Sequence, residues 1–255
     1  MTTGKDREAR ERDHFDRLAA AHGEIWWGST TPAGIERLRR RARRVREELA
    51  RFADPVVLEL GSGTGGFTKY VLEELPSLRL VGCDISPEAV RVARERYGSR
   101  PNTRFEVADV TRLPWPASTF DAVVGNAVLH HLPIPAALEQ CLRVLRPGGC
   151  LWFSEPNMLN PQIAAEKNLR VIGRWLQNTP DETAFFRWRL AGTLRAVGFE
   201  AVSVEPWDFL HPLVPRGLIG LVDAVGRAAE RVPVAREIAG SLMIRALKAG
   251  GATRT

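Results

Sequence analysis

Three glycines, Gly61, Gly63 and Gly66, follow the apolar run Val56-Val57-Leu58, with an acid, Glu59, just ahead of them in Glu59-Leu60-Gly61-Ser62-Gly63-Thr64-Gly65-Gly66. A strand that enters a glycine turn and then opens a helix can hold a small ligand. Glycine has no Cβ to keep a ligand off the backbone, and it reaches angles closed to other residues. Further along, Asp84 and Asp109 each stand at the end of an apolar stretch. The glycine spacing together with Asp84 fits a dinucleotide fingerprint, in which the acid holds a ribose, and a purely structural glycine turn is the plainer alternative. Proton chemistry has its own candidates in His130 and His131, which follow another apolar run, and in His211 much later. Imidazole, with an unperturbed pKa near ~6.5, accepts a proton at neutral pH without large tuning.

The elements that must position these residues alternate. Strands are expected at 56–60, 79–84, 104–108, 120–125 and 150–154, separated by helical patterns such as Leu138, Cys141, Leu142 and Leu145. Strands that are nearly continuous apolar runs, alternating with helices, imply an α/β fold with a parallel sheet covered on both faces. Ligands in such sheets bind beyond the carboxyl ends of the strands, where Gly61, Asp84, Asp109 and Asn126 all fall. Two later strands, 199–205 and 240–248, are joined by a long link. Residues 155–180 form another such link, and connections of this length are usually lids or extra elements. Leu218, Leu221, Val222 and Val225 suggest an apolar helix inside the later link, suited to cover a substrate, pair two subunits as a homo-oligomer, or touch a membrane surface.

Ahead of the glycine strand the chain reads as a helical cover. His14 to His22 is a short helical piece, Trp26 and Trp27 sit in a break, and Thr31-Pro32 caps a second helix. That second helix carries Arg37, Arg39, Arg40, Arg41, Arg43, Arg44, Arg46 and Arg51, in a chain of formal net charge +6. Ile35, Leu38, Ala42, Val45, Leu49 and Phe52 line its other side, so the arginines are expected on a solvated face. Nucleic acid is not the expected partner, because no aromatic residues are interleaved for base stacking. At 255 residues and 44% hydrophobic content there is enough chain for a real core. Residues 1–20 lack the apolar block of a signal peptide and no later run approaches the ~20 apolar residues of a membrane span, so the cytoplasm is the default expectation. Cys83, Cys141 and Cys150 are scattered and odd in number, which argues for reduced buried thiols over a disulfide framework or zinc cluster.

Taken together, Leu58-Glu59-Leu60-Gly61-Ser62-Gly63-Thr64-Gly65, Val81-Gly82-Cys83-Asp84-Ile85-Ser86, Ala108-Asp109-Val110, Phe120-Asp121-Ala122-Val123-Val124 and Leu145-Arg146-Pro147-Gly148-Gly149 resemble the class I S-adenosylmethionine-dependent methyltransferases, in particular the type 11 group with the ubiquinone and menaquinone methyltransferases. The resemblance implies a Rossmann-like, seven-stranded, mostly parallel sheet with one antiparallel strand and helices on both faces. It divides the chain into a cover, 1–53, and a methyltransferase domain, 54–255, with lid-like insertions at 155–180 and 206–239. It further implies S-adenosylmethionine as cofactor, with S-adenosylhomocysteine as product. Glu59, Gly61, Ser62, Gly63 and Gly65 would surround the methionine part, Asp84 would take the ribose hydroxyls and Ile85 would pack on the adenine. Ala108, Asp109 and Val110 would meet the adenine edge, and Asn126 and Ala127 would lie near the methionine end.

On the same resemblance the variable segments bind the acceptor, with Trp26, Trp27 and Phe209 as candidate contacts. The reaction would move a methyl group to an oxygen, nitrogen or carbon of a small-molecule acceptor such as a metabolite, natural product or sugar. His131, His211 and His130 are the candidate bases. No metal is expected, since Asn126 stands where a metal-assisted version would want acids. Two other readings stay open: a lipid or quinone methyltransferase working at a membrane surface, and a non-catalytic cofactor-binding protein.

Overall fold

The computed structural model describes residues 4–22, 28–168 and 184–250. Two helices, α1 (Gly4–His22) and α2 (Pro32–Leu49), precede β1 (Val56–Leu60). Then come α3 (Gly66–Glu74), β2 (Arg79–Asp84), α4 (Pro87–Tyr97), β3 (Thr103–Val107), β4 (Phe120–Asn126), α5 (Ile134–Val144), β5 (Leu145–Pro156) and α6 (Pro161–Asn168). The chain continues with α7 (Arg187–Val197), β6 (Phe199–Trp207), α8 (Ile219–Ala229), the short α9 (Pro233–Arg236) and β7 (Ser241–Lys248).

All seven strands form one sheet in the order β3-β2-β1-β4-β5-β7-β6. Strands β1 to β5 pair in parallel, and β7 runs antiparallel to both its neighbours, β5 and β6. This is the Rossmann-like arrangement with one reversed strand. Because side chains alternate across a strand, successive residues serve opposite faces. Leu58, Leu60, Val123, Leu151, Phe153 and Ile244 pack on one side against Leu138 and Cys141 of α5 and Leu190 and Leu194 of α7. Val57, Val124, Trp152 and Met243 pack on the other against Leu38 and Val45 of α2 and Tyr70 and Val71 of α3. Helix α2 therefore belongs to one of the two main cores, and its start is fixed as the sequence suggests. The Thr31 hydroxyl accepts from the Gly34 N–H at 3.0 Å, with Pro32 as first helical residue.

Several boundaries differ from the sequence reading. Helix α1 begins ten residues before His14, in a charged stretch with no apolar periodicity to announce it. Its docking supplies a tertiary reason: Asp16 accepts from the Ser86 hydroxyl and the Glu88 N–H of α4, and Arg7 donates to the His131 carbonyl. Strand β3 ends at Val107, one residue early, and β5 starts at Leu145, ahead of the expected 150, and runs through Arg-Pro-Gly-Gly. Helix α7 covers Arg187–Val197, and Trp26 and Trp27 lie outside the described residues. Cys83, Cys141 and Cys150 are buried and unpaired, and burial pushes the thiols of Cys141 and Cys150 up to about 12. Among the described residues no helix is long and apolar enough to cross a membrane.

The arginines of α2 are where the sequence reading needs most correction. Arg41 is buried, only 7% exposed, and Arg37, Arg40 and Arg41 all reach Asp208, just beyond β6. Arg43, Arg44, Arg46 and Arg51 pair with Glu36, Glu47, Glu74 and Glu48, and Arg39 lies over the Tyr70 ring. Arg39, Arg44, Arg46 and Arg51 are exposed, as a solvated face requires, whereas Arg37, Arg40 and Arg41 are turned onto a partner far away in sequence. These pairings leave little unpaired charge for a phosphate track.

Candidate active site

The glycine loop leaves β1 at the carboxyl edge of the sheet. Glu59, the penultimate residue of that strand, is buried and accepts from the Thr68 hydroxyl at 2.7 Å. Burial pushes its carboxyl up to about 8, against the Thr68 bond that lowers it and with the Asp84 charge adding to the rise. Gly61 has φ +62°, and a Cβ there would lie 2.4 Å from Val128 Cγ2. Gly63 has φ +53°, and a Cβ there would meet nothing within 4 Å. Protein thus closes over the loop at Gly61, while Gly63 faces open space. Between them Ser62 is buried, its N–H donating to the Cys83 carbonyl at 3.0 Å, and its hydroxyl has no hydrogen-bond partner among the described residues. The Gly65 carbonyl accepts from the Tyr97 hydroxyl at 2.9 Å.

Asp84 ends β2 and fastens this loop. One carboxylate oxygen accepts from the Gly63 N–H at 2.8 Å and the other from the Ser86 N–H at 2.9 Å. Burial raises its pKa, and these backbone donors work against the rise. Each oxygen keeps a lone pair beyond the bond it already accepts, so the carboxylate can still take donors from a ligand. Ile85, next in the chain, is half-buried. Ala108 is buried and donates its N–H to the Asp84 carbonyl at 3.0 Å. Asp109 turns its carboxylate onto its own chain, accepting from the Thr111 N–H at 2.8 Å and hydroxyl at 2.7 Å. It caps the 3₁₀ turn Val110–Arg112, whose Val110 is buried.

Beyond β4 the chain turns sharply. Ala127 takes φ +55°, uncommon for a residue with a Cβ, and its N–H donates to the Ser154 carbonyl at 2.8 Å. The 3₁₀ turn Leu129–His131 follows. Glu155, buried at the end of β5, accepts from the N–H groups of Val128 and Leu129 at 2.9 and 2.8 Å and lies 2.7 Å from His130 Nδ1. His130 is therefore an anchor inside the protein. His131 sits 3.3 Å through Nδ1 from Glu11 of α1, edge-on to the Phe15 ring at 5.2 Å and 4.1 Å from the His130 ring. The sequence reading missed Glu155 and Glu11. An acid closing the apolar run Leu151-Trp152-Phe153 was the available signal for Glu155, because a buried carboxylate requires donors.

Asn126, at the last position of β4, accepts from Arg41 Nη1 at 2.8 Å. The other terminal nitrogen of Arg41 reaches Asp208 at 3.2 Å and the Ser241 hydroxyl at 2.9 Å. Burial lowers the Arg41 pKa to about 10, with Arg37 adding to the fall and Asp208 opposing it. Burial alone would raise Asp208, but the charges of Arg37, Arg41 and Arg40 outweigh it and hold the carboxyl below its ordinary value. His211 lies elsewhere, with Nε2 2.9 Å from the Gln162 side-chain nitrogen of α6, and its pKa is lowered by burial and then by Arg37. Phe209 sets its Cβ against Gly226 of α8, where a Cβ would come within 3.1 Å. Its packing is thus onto the late helix. Among the described residues no group of three His, Cys, Asp or Glu is arranged to hold a metal ion.

Residues 57–149 match a methyltransferase domain family. A demethylmenaquinone methyltransferase of Chlorobaculum tepidum is 28% identical over 164 residues, 63% of this chain and 64% of the relative. A trans-aconitate 2-methyltransferase of an Azoarcus species is 38% identical over 176 residues, 68% of this chain and 63% of the relative. The chain thus spans less than two thirds of the length of either. The phosphoethanolamine N-methyltransferase 2 of Haemonchus contortus, in complex with phosphomonomethylethanolamine and S-adenosylhomocysteine, shares the fold. Its TM-score is 0.66 at 16% identity, covering 93% of this chain and 60% of that one.

Proposed function

We propose, from the match of residues 57–149 to a methyltransferase domain family, S-adenosylmethionine-dependent methyl transfer to a small-molecule oxygen, nitrogen or carbon. The observation that carries the reading is the loop at Gly63, open to space beside a carboxylate, Asp84, that is already clamped by the Gly63 and Ser86 N–H groups. The residues present fit such a cofactor: Gly61 to Gly65 would hold its methionine part, Asp84 its ribose hydroxyls, and Ile85, Ala108 and Val110 its base. Ser62 adds a buried hydroxyl without a described partner. When bound, the cofactor supplies a methyl group on a sulfonium that is already a good leaving group. The protein's share is alignment at ~3 Å and, where the nucleophile must lose a proton, a base. Support from relatives is consistent with this, since those named above act by methyl transfer and the Haemonchus protein was seen with S-adenosylhomocysteine.

Isotope-labelled methyl donor incubated with the protein and fractionated small-molecule extracts tests the proposal. Label should pass to an acceptor, and Asp84→Ala should weaken cofactor binding by roughly 1.5–3 kcal/mol, the range for hydrogen bonds to a charged group. Unchanged affinity in calorimetry would remove Asp84 from the site. Tight NADH binding without a response to S-adenosylmethionine would return the dinucleotide reading.

Glu59 predicts a pH dependence. With its carboxyl pushed up to about 8, the unliganded protein holds it mostly protonated at neutral pH. A cationic ligand beside it favours the ionised form, so binding releases a proton and strengthens as pH rises toward 8. Affinity should rise about eightfold from pH 6.5 to 7.5, and Glu59→Gln should flatten that slope. The sign for stability is opposite. A carboxyl raised in the fold contributes fully below the ordinary glutamate pKa, and its contribution is lost as pH climbs through about 8. Calorimetry in buffers of different ionisation enthalpy reads the proton directly.

A further inference from the structure

Among the described residues nine large apolar side chains are exposed, and seven of them fall between 213 and 238. They are Leu213, Leu218, Leu221, Val225, Val232, Val234 and Ile238, with exposures of 73% at Leu213, 63% at Leu221, 60% at Val225 and 82% at Val234. Leu218, Leu221 and Val225 recur at helical spacing, so they share one side of α8 and its entry. An apolar patch held out of the core marks an interaction site.

The charges of the same segment are sorted by direction. Asp223 is held by Arg40 of α2 at 2.9 Å as well as by Arg227. Glu230 accepts from Arg40 at 3.3 Å and from the Asp208 N–H at 2.8 Å, and Glu237 accepts from Arg187 of α7 at 2.9 Å. All three acids are thus drawn onto the protein body, while Arg216, Arg227 and Arg231 are exposed. Arg216 and Arg231 have no acidic partner among the described residues. What faces outward is apolar and positive.

We propose that this exposed segment, 213–238, docks on an anionic lipid bilayer, with Leu213, Leu221, Val225 and Val234 entering the headgroup boundary and Arg216 and Arg231 meeting lipid phosphates. Apolar residues flanked by arginine suit that boundary, which takes up the side chains and attracts the charge. A second copy is the poorer occupant. A two-fold contact sets a face against itself, and here it would gather the arginines of both copies into one interface while the acids that could neutralise them point inward. The proposal stands apart from methyl transfer, since docking needs neither cofactor nor acceptor.

Co-sedimentation of the full chain tests it, using vesicles of phosphatidylcholine alone and with about 30% phosphatidylglycerol. Binding should be confined to the anionic vesicles at 0.1 M salt and fall at 0.5 M, as screening shortens the reach of the charges. Arg216→Glu with Arg231→Glu should lower partitioning about 25-fold or more, from about fivefold per basic residue near an anionic surface. Leu221→Asp with Val225→Asp should lower it at least tenfold. All four positions are exposed, so both variants should melt like the parent. Absence of binding to anionic vesicles at low salt overturns the proposal, as does parental binding by either well-folded variant. If the protein instead forms a dimer that the Leu221→Asp, Val225→Asp variant dissociates, and ignores vesicles, the face belongs to a second copy and the lipid assignment is wrong.

Discussion

Asp208→Ala should lower the unfolding free energy by roughly 3–5 kcal/mol, the range for removing one partner of a buried ion pair. Asp208 is 1% exposed and takes guanidinium groups from Arg37, Arg40 and Arg41. Removing it leaves Arg41 inside the protein with its main counter-charge gone, and the pull of Asn126 and Ser241 does not replace a carboxylate. Asp208 also sits at φ +67°, where aspartate is tolerated better than alanine. Urea unfolding at pH 7 measures the loss. A change below about 1 kcal/mol would mean that Glu230 and Asp223 take over the arginines, and that the single acid does not hold α2 to the later segment. Acid provides a second check. A carboxyl held below its ordinary value gives stability that is present above the unfolded aspartate pKa and is lost as pH falls through the folded one. Asp208→Asn should therefore lack part of the acid-induced destabilisation seen in the parent.

For an acceptor that must lose a proton, His131→Ala should slow single-turnover methyl transfer on the order of 10²-fold or more at saturating cofactor, with cofactor affinity retained. The three histidines have different surroundings. His130 is tied through Nδ1 to Glu155, which also holds two backbone N–H groups, and its burial, more than the carboxylate, sets it behind His131 as a base. His211 lies by Gln162 of α6, and burial lowers its pKa. His131 has a Glu11 carboxylate oxygen 3.3 Å from Nδ1 and is the more exposed ring of the adjacent pair. Glu11→Gln should then shift the pH profile of transfer while His211→Ala leaves it in place. Equal, small losses in His131→Ala and His211→Ala would mean that alignment alone carries the reaction.

The sheet was largely legible before any coordinates, because the central strands β1, β4 and β5 hold apolar runs and the carboxyl ends of β1, β2 and β3 carry glycine or an acid. Local caps were equally readable: Thr31-Pro32 and Ser86-Pro87 act as their letters suggest. Arg37, Arg40 and Arg41 of α2 escaped the solvated-face reading because periodicity assigns a face and cannot see what covers it. Asp208 lies 171 residues from Arg37, and no local pattern couples them. Likewise the helix at 219–229 was foreseen from Leu218, Leu221, Val222 and Val225, but an apolar stripe does not say whether it turns inward, and Leu221 and Val225 turn out. Glu11 was hidden in a run of charges that gives no hint of one residue being chosen.

The place of β7 between β5 and β6 bears on how the protein is made. Six strands leave the ribosome before it, yet among the described residues β6 has no neighbour in the sheet except β7, and the outer edge of β5 is likewise finished only by β7. Until residues 241–248 emerge, β5 presents a row of unpaired backbone groups and β6 has nothing to pair with. An incomplete chain with an open strand edge is exposed to association with other chains. A premature stop near residue 240 should thus yield aggregated material even though the glycine loop, Asp84 and both histidines of the turn have already been synthesised.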